Sequence, residues 1–168
     1  METLILLRHA KAVRDHEAPS DRARRLTGRG RRDAASAGAA LAAAGFRPDF
    51  ALISPALRTR ETAHLALLDF APIDARVDEA LYLSEPETIW AAAQACGGAQ
   101  VVVIAHNPGL HSLAAHLVAQ AHDRSKAARA LAEGVPTAAF AAFAIDGETY
   151  AAPGARLIAA WRPERGDD

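Results

Sequence analysis

The stretch QVVVIAHNPGL, residues 100–110, decides how the rest of the chain is read. Val101 to Ala105 form an unbroken apolar, mostly β-branched run, the pattern of a strand buried on both faces. His106 and Asn107 end that run, and Pro108 and Gly109 lead into a helix expected to reach about Ala121. A strand buried on both faces needs a covered sheet, so helices must lie above and below it.

Working toward the N-terminus, SEPETIWAAAQACGG predicts a helix, with Ser84 as a cap, Pro86 near its start and Gly97-Gly98 at its end. Ile73–Val77 is a candidate third strand. Asp49–Ser54 predicts another short strand, and Pro55 suits the first turn of a helix running to about Leu68. A helix is expected from Gly28 to about Ala44, with Thr27 as N-cap and Gly45 just past the end. Residues 10–26 are polar and read as a long loop. Thr3–Arg8 is a second fully buried strand. Toward the C-terminus, AAFAAFAID and ARLIAAW predict two late strands joined by the turn DGETYAAPG. Helices alternating with buried strands give an α/β fold: a three-layer α/β/α sandwich with a mostly parallel central sheet.

The 168 residues fit a single domain spanning 1–168. A net charge of −1 argues against a nucleic-acid or membrane-surface binder, since either needs a basic excess. The single cysteine, Cys96, permits no internal disulfide. Leu4–Leu7 is too short for a signal-peptide core, and no run approaches the ~18 apolar residues of a membrane span. A cytoplasmic monomer is expected, without nucleic-acid or membrane partners.

Polar residues collect where strands end. The first strand closes on Arg8-His9, the second on Ser54-Pro55 with Arg58 just beyond, and the third of this kind on His106-Asn107. In an open parallel sheet the carboxyl ends of the strands share one edge, where ligands bind. Arg8, His9, Arg58 and His106 therefore converge, though distant in sequence. Two guanidinium forks and two imidazoles suit a phosphoryl group. Helix starts after Ser54 and Asn107 add backbone N–H groups. A neutral histidine is a good nucleophile toward phosphorus, and flanking arginines stabilise the transition-state charge.

These residues lie in LLRHAKA, DRARRLTGRG, ISPALRTRETA and VIAHNPGL. In this order they resemble the motifs of the histidine phosphatase superfamily, the fold group of phosphoglycerate mutases. Within it the chain is most similar to the SixA-like phosphohistidine phosphatases. The resemblance implies a phosphoglycerate mutase-like fold and a phosphatase without metal or cofactor. It implies His9 as the phosphorylated nucleophile, with Arg8, Arg58 and His106 on the phosphoryl group. Arg24 matches the loop arginine and Asn107 follows the second histidine; both are candidate phosphate-binding residues. Ala10 stands where many relatives have glycine. Glu79, in VDEALY, is the positional match for the general acid of many relatives.

A phosphohistidine leaves as an imidazole, whose conjugate acid has a pKa of ~6.5, and so departs without strong acid help. The expected substrate is protein phosphohistidine, with a histidine phosphotransfer domain or phosphocarrier as the candidate partner. A small-molecule phosphomonoesterase and a non-catalytic phosphoryl-binding module are the alternatives. His111 and His116 are five apart, off the i, i+4 spacing of a helical zinc site. The Arg-rich stretch 22–32 lacks interleaved aromatics and reads as a solvated face or a docking surface for an acidic phosphoprotein.

Overall fold

The computed structural model describes residues 1–70 and 72–164. Its six strands are β1 (Thr3–Arg8), β2 (Phe50–Ile53), β3 (Asp74–Val77), β4 (Gln100–Ala105), β5 (Phe140–Ile145) and β6 (Ala155–Trp161). They form one sheet in the order β3-β2-β4-β1-β5-β6. The first four are mutually parallel; β5 runs antiparallel to β1, and β6 antiparallel to β5. The helices are α1 (Gly28–Ala43), α2 (Leu57–Ala66), α3 (Pro86–Gln94), α4 (Gly109–Gln120) and α5 (Lys126–Glu133).

The continuous apolar runs occupy the middle of the sheet because only there are both faces covered. Leu4, Ile5, Leu6 and Leu7 of β1 and Val101 to Ala105 of β4 are all 0% exposed. Alternation then splits them between two cores. Leu4, Leu6, Val101 and Val103 pack with Ile89, Trp90, Leu113 and Leu117 of α3 and α4. Ile5, Leu7, Val102 and Ile104 pack on the opposite face with Ala37, Leu41, Ala63 and Ala66 of α1 and α2. Burying each Leu or Ile side chain is worth about 2 kcal/mol. β1 and β4 are thus stiff stems, and whatever follows them is held in place.

Several boundaries differ from expectation. α2 begins at Leu57 with Ala56 as N-cap, so Pro55 precedes the helix and does not sit in its first turn; the helix ends at Ala66, not Leu68. Thr59 explains the late start, since its hydroxyl donates to the carbonyls of Ser54 and Ala56 and holds the chain extended there. The N-cap of α3 is Glu85, not Ser84, and Pro86 takes the first helical position. Ser84 is one residue too early to cap, and its buried hydroxyl finds no partner among the described residues. Helix α5 lies in a segment for which the sequence reading assigned no element. Thr27 does cap α1, accepting from the Gly30 N–H at 3.0 Å. Gly30 itself lies against β1's exit, where a β-carbon would come within 2.0 Å of the Lys11 carbonyl oxygen. Gly45 follows α1 at φ +82°, a conformation glycine adopts without strain.

Candidate active site

The register of β1 against β4 assembles the site. Arg8 pairs with Ala105, so the next residues out, His9 and His106, leave adjacent strands at the same level. Their ring centroids lie 5.2 Å apart. β2 pairs with β4 on its other side, and Ser54 continues that ladder by donating its N–H to the Ile104 carbonyl. Arg58 follows in the first turn of α2, at 3% exposure.

The two histidines are held differently. His9 is partly exposed, and its Nδ1 lies 2.9 Å from the Ala10 carbonyl oxygen. A carbonyl only accepts, so Nδ1 carries the proton and the Nε2 lone pair is available. His106 is 3% exposed. Its Nδ1 faces Arg58 Nη2 at 3.2 Å and accepts from it, because a guanidinium only donates. Its Nε2 then carries the proton and donates to Ser54 Oγ at 2.7 Å.

Both rings are held neutral. Burial pushes His9 down to about 3, the Ala10 bond opposes this, and repulsion from the neighbouring His106, were it protonated, and from the charges on Arg58 and Arg8 adds to the fall. Burial pushes His106 down to about 4, helped by Arg58 and opposed by Asp21.

Arg8 donates from Nη1 to the Val135 carbonyl at 2.9 Å, and burial lowers its pKa. Asn107 Nδ2 donates to the same oxygen at 3.1 Å, so one carbonyl ties the ends of β1 and β4 together. The Nε atoms of Arg8 and Arg58 are buried and without partners among the described residues. A buried N–H left unpaired is costly, and an anion between the two guanidiniums would satisfy it. Thr62, one turn along α2, accepts from the Ala10 N–H at 3.0 Å and donates to the Arg58 carbonyl at 2.7 Å. The S-P-x-x-R-x-x-x-T segment is thereby stitched to the exit of β1.

The sequence model of the histidine phosphatase superfamily (branch 1) matches residues 4–82. Over these residues, just under half of its length, the chain is similar to the histidine phosphatase superfamily. A structure described as the phosphohistidine phosphatase SixA from Nakamurella multipartitia is similar at 29% identity and a TM-score of 0.83, covering 96% of each chain. One described in the same way from Agrobacterium tumefaciens is 26% identical at a TM-score of 0.82, covering 96% of this chain and 98% of that one. The protein histidine phosphatase SixA complexed with tungstate shares the fold, at 23% identity, a TM-score of 0.74 and coverage of 95% and 96%. No curated protein sequence matches. Family and neighbours together support phosphatase activity, on a phosphoglycerate mutase-like fold.

In this chain, Arg8, His9, Arg58, His106 and Asn107 are brought to one sheet edge. Arg24 is engaged within its own loop, where its Nε donates to the Val13 carbonyl and its Nη1 pairs with Asp21 and Asp15. Glu79 sits in a one-turn 3-10 helix after β3, its side chain 72% exposed and paired with Arg22 at 2.8 Å. The residue that sequence reasoning passed over is Asp21. Its carboxylate accepts from Arg58, Arg24 and the Tyr82 hydroxyl. Its only signal was its place at the head of the D-x-x-R-x-L-T segment. Among the described residues no cluster of three or more His, Cys, Asp or Glu is placed to hold a metal. No described helix is long and apolar enough to cross a membrane.

Proposed function

We propose that this protein hydrolyses phosphoryl groups through a covalent phosphohistidine at His9, acting on protein phosphohistidine. The observation that carries the reading is the hydrogen bond from His9 Nδ1 to the Ala10 carbonyl, which fixes the tautomer with a nucleophilic Nε2. In the first step Nε2 bonds to phosphorus as the P–N bond of the substrate breaks. The departing imidazole takes its proton from solvent. The phosphorylated His9 ring becomes cationic, and its Nδ1–H stays on the Ala10 oxygen, which stabilises that charge. In the second step water attacks phosphorus, the Nε2–P bond breaks, and inorganic phosphate leaves with the ring neutral again.

Arg8 and Arg58 act on the equatorial oxygens, where negative charge is densest in the transition state. His106 joins them by exchanging one of its two present bonds for the phosphoryl group. Asn107 stands next to it and shares Arg8's anchor on Val135. Glu79, paired at the surface, fits a reaction whose leaving group needs little acid help. A partly exposed His9 suits a phosphoryl group displayed on another protein's surface, such as a histidine phosphotransfer domain or phosphocarrier. The SixA descriptions of the similar structures point the same way.

The test is to trap an acid-labile phosphoryl label from a small phosphodonor, then compare turnover on a phosphohistidine protein and on phosphate monoesters. Label on His9 and faster turnover of the phosphohistidine protein are expected. A preference for monoesters by orders of magnitude would overturn the protein-substrate assignment.

A further inference from the structure

Arg58 is a full positive charge at 3% exposure, and a buried charge is stable only with a counter-charge. Asp21 supplies it. Arg58 Nη2 donates to Asp21 Oδ2 at 2.9 Å, and Nη1 donates to the Asp21 backbone carbonyl at 2.6 Å. With the Nη2 bond to His106, three of the five guanidinium N–H groups are committed. The plane of the fork is therefore fixed, and the partnerless Nε–H has one direction in which to point.

Both carboxylate oxygens of Asp21 are themselves engaged. Arg24 Nη1 donates to its Oδ1 at 3.0 Å, and the Tyr82 hydroxyl donates to its Oδ2. Tyr82 packs edge-on to His106 with centroids 5.6 Å apart, and the Arg22 guanidinium lies 4.3 Å above the Tyr82 ring. Arg22 in turn pairs with Glu79. The loop after β1 and the segment after β3 thus meet at one carboxylate, and that carboxylate meets the phosphoryl site through Arg58. These bonds hold the Asp21 carboxyl well below the usual range against the effect of burial, so it is no proton donor at neutral pH.

We propose that Asp21 is the positioning residue of the phosphoryl site: it fixes the Arg58 fork and offsets half of the site's guanidinium charge before substrate arrives. The proposal deepens the phosphatase reading above and rests on it. Its physical content is a trade. The carboxylate repels an incoming phosphoryl group, so it weakens anion binding; by holding Arg58 in place it favours the transition state over the bound ground state.

Two substitutions separate the two effects. Asp21→Ala removes both the hold and the charge, and kcat on a small phosphodonor should fall at least about tenfold, as for a misplaced catalytic group. Asp21→Asn keeps, on its amide oxygen, the acceptor for Arg58 Nη2 and the Tyr82 hydroxyl, while it removes the charge and turns an NH2 toward Arg24. It should bind tungstate about threefold tighter or more, while losing less kcat than the alanine variant. A protein in which Asp21 merely staples the loop would lose thermal stability with kcat and tungstate affinity unchanged, and that result overturns the proposal. So does tungstate binding by Asp21→Asn that is no tighter than wild type. If Asp21→Ala fails to fold, Tyr82→Phe, which frees one side of the carboxylate, should still lower kcat by about two- to fivefold; an unchanged kcat would count against the role. Wild-type protein that takes no label on His9 overturns the nucleophile assignment instead, and the two tungstate affinities still decide the role of Asp21.

Discussion

The ends of β1 and β4 carry the same residue type at the same level of the sheet, yet the two histidines are equipped for different work. His9 is tied by one nitrogen to a carbonyl of its own segment, and its other nitrogen keeps a lone pair. His106 has both nitrogens committed, to Ser54 and to Arg58, and is nearly sealed from solvent. Neighbours, not residue identity, leave one ring with an available lone pair and make the other a brace.

The sharpest break in this comparison is removal of each ring. His9→Ala should abolish the acid-labile label and cut turnover by at least about 10³-fold, as loss of a covalent nucleophile does. His106→Ala should leave His9 able to take label and cost about 10²-fold in kcat, the scale of losing one transition-state contact. Equal losses in both, with label absent from both, would erase the distinction drawn between them.

Acid should reveal that both rings are held neutral. Each histidine binds a proton in the unfolded chain below about 6.5. In the folded protein His9 does so only near 3 and His106 only near 4. Between those limits the unfolded state binds more protons, so stability is full above about pH 6.5 and falls as pH drops toward 3. Urea melts at pH 7 and pH 5 should show lower stability at pH 5. Each single alanine variant should flatten part of that dependence; a dependence untouched in both variants would mean the rings titrate normally.

Ser54→Ala tests the brace alone. It leaves the buried His106 Nε2–H without an acceptor, at a cost of about 1–3 kcal/mol, and should lower kcat less than His106→Ala does. Thermal melting and steady-state kinetics check both halves. Glu79→Gln should have the smallest effect, within about twofold on a phosphohistidine protein, because an exposed ion pair contributes little. A fall of about 10²-fold, the ordinary worth of a general acid, would instead place Glu79 in the proton path.

The strands that read most plainly from sequence are those buried on both sides. β1 and β4 show as unbroken apolar runs because neither of their faces meets water. Arg8, His9 and His106 stand out in the sequence because each sits at or just past such a run, whereas Arg58, beside Arg60, stands out only through the S-P-x-x-R-x-x-x-T segment. β3 was a weaker expectation, and all four of its residues are exposed at the sheet edge. Helix α5 buries only Ala128 and Leu131, too little to stand out from a polar surrounding. Ser84 was assigned as a cap because serine is a good one, but the turn into α3 starts one residue later. Asp21 was hidden for a different reason. An aspartate in an Arg-rich loop reads as solvated, and its main partner is 37 residues away.

The Val135 carbonyl holds Arg8 and Asn107 through a main-chain atom. No substitution at position 135 can delete that oxygen, and almost any side chain there supplies it. The tether itself therefore asks nothing of residue identity at 135, and what does constrain that side chain is its burial in the core at 1% exposure. Damage to this tether would come from changes in the length or bend of the 134–138 connection, so insertions there should be far less tolerated than point substitutions.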